Sequence, residues 1–171
     1  MSRITTSLAV LSIFAALAAH ADTATVSKSG SNQIITISGK SQSKAGIAEE
    51  IYQTLSKGGA SLNRGIEHSQ LTGKNIKASV AYLNGAYYNV SMTVEKDSSS
   101  AKFTRKSGKI VSIFLVGETA ENLFDYATKA DLPVIRRMGA STVEGKNFTC
   151  NHKVLAPQYK DVAHTCTIAI N

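Results

Sequence analysis

Apolar residues in this chain recur in two rhythms, and the rhythms alternate in a fixed order. Thr23 to Lys28 and Gln33 to Ser38 are β-branched runs separated by Ser29-Gly30-Ser31-Asn32, a strand–turn–strand pattern. Ile47, Ala48, Ile51, Tyr52 and Leu55 then fall on one stripe of a helix that Gly58-Gly59 ends. A period of two returns in Ile76, Ala78, Val80 and Tyr82, and again in Tyr88, Val90, Met92 and Val94.

The same order follows a second time. Lys102 to Arg105 and Ile110 to Val116 flank Lys106-Ser107-Gly108-Lys109, and Ala120, Leu123, Phe124 and Ala127 make a helical stripe that ends before Pro133. Ser43 and Thr119 are the candidate helix caps. Short identities support a duplication: Gly73-Lys74-Asn75-Ile76 returns 72 residues later as Gly145-Lys146-Asn147-Phe148. Ala48-Glu49-Glu50-Ile51-Tyr52 returns at the same spacing as Ala120-Glu121-Asn122-Leu123-Phe124. Lys28-Ser29-Gly30 and Gly39 return at a spacing of 78, which places six extra residues in the first copy before its helix.

The predicted fold class is therefore α+β: a tandem ββαββ repeat, antiparallel, with one helix packed per repeat. Residues 22–95 form the first repeat, 96–100 a joint and 101–171 the second repeat. Ala60 to Thr72 and Leu132 to Glu144 are expected as long connections of equal length. Keeping both apolar sets of the first closing hairpin on one face requires an odd-length loop, so three residues with Gly85 left-handed are expected. That register aligns Cys150 with Ala78 and Cys166 with Met92, and makes a cross-strand disulfide reasonable.

The leading residues bear on where the chain works. Arg3, the apolar stretch Leu8 to Ala19 and Ala19-His20-Ala21 read as a cleaved secretory signal over residues 1–21. No later run reaches membrane-spanning length. The expected location is exported, periplasmic or extracellular, where Cys150 and Cys166 would pair by default. Lys and Arg number 19 against 12 Asp and Glu, a formal charge of +7. That balance favours anionic surroundings.

Candidate chemistry is sparse. If Cys150 faces Cys166, antiparallel pairing places His152 opposite His164 on the same face. Two imidazoles fall short of a zinc site, so neither a metal nor a cofactor is assigned. Arg64 and Arg136, joined by Arg137, occupy matched places in the two connections, and the guanidinium fork suits carboxylate or phosphate. Tyr87 is expected on the face away from the helix, a good position for contact. The basic run Lys96, Lys102, Arg105, Lys106 and Lys109 is divided between two faces by strand alternation, which argues against nucleic acid. No nucleophile elbow, zinc helix, P-loop or dinucleotide fingerprint occurs, and no catalytic residue is assigned.

Three functions fit these features. The first is an exported, non-enzymatic binding or inhibitory module for a protein or an anionic polymer. The second is a structural component of the cell envelope, and the third a small exported enzyme using His152, His164 or His68 with a loop arginine.

Overall fold

The computed structural model describes residues 22–40, 46–82, 87–94, 100–156 and 161–170, with the backbone alone at Ala156 and Asp161. The leader, Ser43, and the tip of the hairpin containing Gly85 lie outside the described residues.

Two antiparallel six-stranded sheets are present, and each repeat supplies one sheet and one helix. The first repeat contains β1 (Thr23–Ser29), β2 (Asn32–Lys40), α1 (Ile47–Lys57), β3 (Ser61–Arg64), β4 (His68–Thr72), β5 (Ile76–Ala81) and β6 (Tyr87–Val94). The second contains β7 (Ala101–Lys106), β8 (Lys109–Val116), α2 (Glu118–Lys129), β9 (Val134–Arg137), β10 (Ala140–Glu144), β11 (Phe148–Ala156) and β12 (Asp161–Ala169). Strand order is β1-β2-β6-β5-β4-β3 in one sheet and β7-β8-β12-β11-β10-β9 in the other. The tandem α+β repeat expected from the pattern is thus present, with one disulfide.

Each unit also carries a hairpin within the segment expected as a connection. Ser61–Arg64 is exposed at all four positions, so it shows no alternation to betray a strand. Val134–Arg137 is exposed at three of four. Backbone pairing to β4 and β10, with a turn at Gly139 (φ 69°), defines these strands where side-chain burial does not.

Row-by-row comparison fixes the equivalence of the repeats. Leu62, Leu71, Ala78, Val90, Ile37 and Ala24 form one row across the first sheet. Val134, Val143, Cys150, Cys166, Leu115 and Ala101 form the matching row across the second. Cys166 therefore corresponds to Val90 and not to Met92. A two-residue slip preserves the face of every side chain, so the apolar pattern alone cannot distinguish these registers.

The helices lie against their own sheets and against each other. Ile47, Ala48, Ile51 and Leu55 are at most 1 % exposed, and a single apolar cluster runs through both repeats. Burying each large side chain contributes about 1.5–3 kcal/mol.

Neither helix has a side-chain cap at the position before it. Asp22, arriving from 26 residues upstream, accepts a bond from the Ala48 amide at 3.0 Å and serves the first helix instead. A Cβ on Gly39 would lie 1.7 Å from Asp22 Oδ1, which explains glycine there. Thr119 does not cap its helix. Its hydroxyl donates to the Thr93 carbonyl at 2.8 Å and ties α2 to the first repeat.

The most strongly repeated tetrapeptide proves to be an interface. Glu50 on α1 accepts bonds from the Lys146 amide, from the Asn147 amide at 3.0 Å and from Asn147 Nδ2 at 2.9 Å. In the other direction, Lys74 pairs with Glu118 on α2 at 2.5 Å. Lys74 holds the Glu118 carboxyl below its usual range by hydrogen bond and charge, with a smaller contribution from Asn75. Each Gly-Lys-Asn turn thus receives a carboxylate from the opposite repeat's helix. Side chains at Gly73 and Gly145 would meet the Tyr126 ring and Glu50 respectively.

Candidate functional site

One row beyond the disulfide, the two repeats diverge in chemistry on a common frame. The first sheet has Arg64, Ser69, Val80 and Tyr88 in line across four strands. The second has Arg136, Ser141, His152 and His164 at the corresponding places. Tyr52 of α1 lies over the first row, its ring 5.5 Å from that of Tyr88 in an edge arrangement, and hydrogen-bonds Ser69. Phe124 of α2 takes that place in the second repeat, 5.7 Å from His152 and 5.8 Å from His164. The equivalents of the histidines in the first repeat are therefore Val80 and Tyr88.

His152 Nδ1 and His164 Nε2 approach to 2.9 Å. One ring nitrogen must accept in such a bond, so at least one imidazole is neutral. The disulfide two residues earlier on β11 and two later on β12 fixes the strand register that makes the pair. Burial disfavours the charged form of His164 and pushes its pKa down. Glu121 opposes this, His152 adds to it, and Asp125 opposes it.

The sign of the resulting pH dependence follows from linkage. With a folded pKa below the unfolded value of about 6.5, the unfolded chain binds the proton first as pH falls. The stabilisation is complete above that value and is lost as pH drops toward the folded one. Thermal unfolding at pH 7.5 and pH 5 should show a steeper loss for the wild type than for His152→Val/His164→Tyr, which restores the first repeat's side chains. Equal slopes in the two proteins would assign the pH dependence elsewhere.

The other sequence candidates are dispersed. Arg136 joins the histidine row at its β9 end, two strands from His152. Arg64 holds the corresponding place in the first sheet. Arg137 alternates to the opposite face, in a row with Ala140 and Lys153. Tyr87 also lies on the face away from its helix, 41 % exposed, between Ala81 and Lys40. His68 is at the β4 end of that row in the first sheet, so it does not join the histidine pair. A cleft of about 270 Å³ between α1 and the second repeat is lined by Glu49, Gln53, Lys57, Leu132 and Lys146, none of them in the histidine row.

The faces turned away from the helices carry a pattern the sequence did not disclose. Across the first sheet run Asn63, Gln70, Ser79, Asn89, Ser38 and Thr23, six uncharged hydroxyl or amide side chains on six strands. The neighbouring row is Ser61, Thr72, Lys77, Ser91, Thr36 and Thr25. On the second sheet one row is Ile135, Thr142, Asn151, Thr165 and Val116, and the next is Glu144, Thr149, Thr167, Phe114 and Lys102. Ser38 donates to Asn89 at 3.3 Å and Thr142 to Asn151 at 2.8 Å, which hold the two amides in place.

Charge is divided between the two sides. The outward strand positions include Lys40, Lys77, Lys102, Lys153 and Arg137, against Glu144 as the acidic residue among the described side chains there. Glu49, Glu50, Glu118, Glu121 and Asp125 are all on the helices. At one end of the second sheet's outer face, Lys146, Asn147, Thr149, Thr167 and Ala169 line a recess of about 320 Å³. Parity places these groups together only once each strand's partner is known, so single-strand patterns did not reveal the rows.

No protein-family model, curated protein or solved structure matches this chain.

Proposed function

We propose that the protein is an exported binding module whose outer sheet faces engage an acidic, hydroxyl-rich polymer such as an anionic polysaccharide. The observation that carries this reading is the outer surface itself: rows of Ser, Thr, Asn and Gln across the first sheet, a shorter polar set on the second between Ile135, Val116 and Phe114, lysines among them, and Glu144 as the acidic side chain described there. Hydroxyl and amide groups both donate and accept, matching sugar hydroxyls, while the lysines supply charge complementarity. Tyr87 offers an aromatic face at the end of the first sheet. The acidic helices lie on the other side, so an anionic chain is steered to the sheets. The Cys150–Cys166 disulfide is compatible with an oxidising, exported location, and no described helix is long and apolar enough to cross a membrane. The leader read from residues 1–21 would supply the export.

Retention of the purified protein on immobilised acidic polysaccharide, on its neutral counterpart and on duplex DNA tests this. Selective retention on the acidic polysaccharide is expected, weakening with salt. Lys77→Gln/Lys153→Gln should elute at lower salt, and Tyr87→Ala should weaken retention at every salt concentration. Equal retention of wild type and both variants, or preference for the neutral polymer or DNA, would contradict the proposal.

A further inference from the structure

We propose that His152 and His164 form a two-imidazole site for a divalent ion that favours tetragonal coordination, Cu(II) above others. The nitrogens His152 Nδ1 and His164 Nε2 are 2.9 Å apart. With metal–nitrogen bonds of about 2.0–2.1 Å, adjacent corners of a square plane are separated by about 2.9 Å, whereas corners of a tetrahedron are separated by about 3.3 Å. The pair is therefore spaced for cis positions of a square plane. Binding an ion replaces the proton between the rings: the donating imidazole shifts that proton to its other ring nitrogen, so that His152 Nδ1 and His164 Nε2 both present lone pairs.

Three features make the pair a built site. The Cys150–Cys166 bond locks β11 to β12 in the register that sets the imidazoles opposite each other. Phe124 packs against both rings and closes the helix side. Burial disfavours positive charge at His164, and Glu121 and Asp125 on α2 partly offset that burial by charge. No group of three or more His, Cys, Asp or Glu able to hold a metal occurs among the described residues. The protein thus supplies two ligands, and the remaining equatorial positions belong to water or an added ligand. Imidazole nitrogen suits copper, which also heads the affinity order of the divalent first-row ions. Val80 and Tyr88 leave the first repeat without this site.

Titration of Cu(II) into the purified protein, followed by electron paramagnetic resonance at pH 7.5, provides the test. One equivalent should bind with an axial spectrum coupled to two nitrogens, and Zn(II) should bind at least tenfold more weakly. His152→Gln and His164→Gln should each weaken copper binding at least tenfold and remove one nitrogen coupling. Unchanged affinity in both variants would overturn the site. Nuclear magnetic resonance of the wild type gives an answer even if a variant fails to fold. Substoichiometric Cu(II) should broaden the His152 and His164 ring signals before those of His68, and simultaneous broadening of all three would also overturn it.

Discussion

Replacing the disulfide by Cys150→Ala/Cys166→Val should lower stability by about 3 kcal/mol, the loop-closure contribution expected for a short cross-linked loop. The bonded residues are 16 apart in sequence and fully buried. This replacement isolates the cross-link because the first repeat has Ala78 and Val90 at the corresponding places in a well-packed row. In a domain of this size the loss corresponds to about 6–12 °C in melting temperature. Cys150→Ser/Cys166→Ser should cost more, since it buries two hydroxyls in an apolar row, with the Ala120 carbonyl, 3.3 Å from Cys166 Sγ, offsetting part of that cost. The difference between the two double variants, measured by thermal denaturation, separates the covalent contribution from polar burial. An unchanged melting temperature in the Ala/Val variant would show that the cross-link does not constrain the unfolded chain.

Glu50→Ala should be the next most damaging of these changes. It removes the acceptor for two backbone amides and one side-chain amide in the Lys146–Asn147 turn of the opposite repeat. Hydrogen bonds to charged groups contribute about 1.5–3 kcal/mol, and partial exposure of this cluster places the expected loss near 2 kcal/mol. Glu50→Gln keeps one acceptor oxygen and should recover part of the loss. If Glu50 joins the repeats as argued, exchange protection should fall in the Gly145–Asn147 turn and at the α1–α2 contact, while the interior of each sheet stays protected. A loss confined to α1 would instead identify Glu50 as a local helix residue.

The repeat and its elements were legible because burial imposes period two on β2, β5 and β6 and a helical stripe on α1 and α2. Three things were not. The β3–β4 and β9–β10 hairpins contain edge strands whose side chains are mostly exposed, so their backbone pairing leaves little trace in residue type. The register of β5 with β6 was off by two residues because such a shift moves no side chain to the other face. The exchanged contacts of the Gly-Lys-Asn turns depend on how two repeats dock, although the exact recurrence of three polar or small residues at a turn was a signal that something holds them. In the candidate site, the His152–His164 pairing was legible because the cysteines fixed its register. The outer rows were not, since each is assembled from residues on several strands.

The most direct test of the proposed function is to locate the bound polymer. Backbone and side-chain shifts of the protein should be followed by nuclear magnetic resonance while a short acidic oligosaccharide is added. Perturbations are expected at Ser38, Lys77, Asn89 and Ser91 on the first sheet and at Thr149, Asn151, Lys153 and Thr167 on the second, with α1 and α2 unmoved. Perturbations centred on the helices, or none on either outer face, would contradict the proposed function.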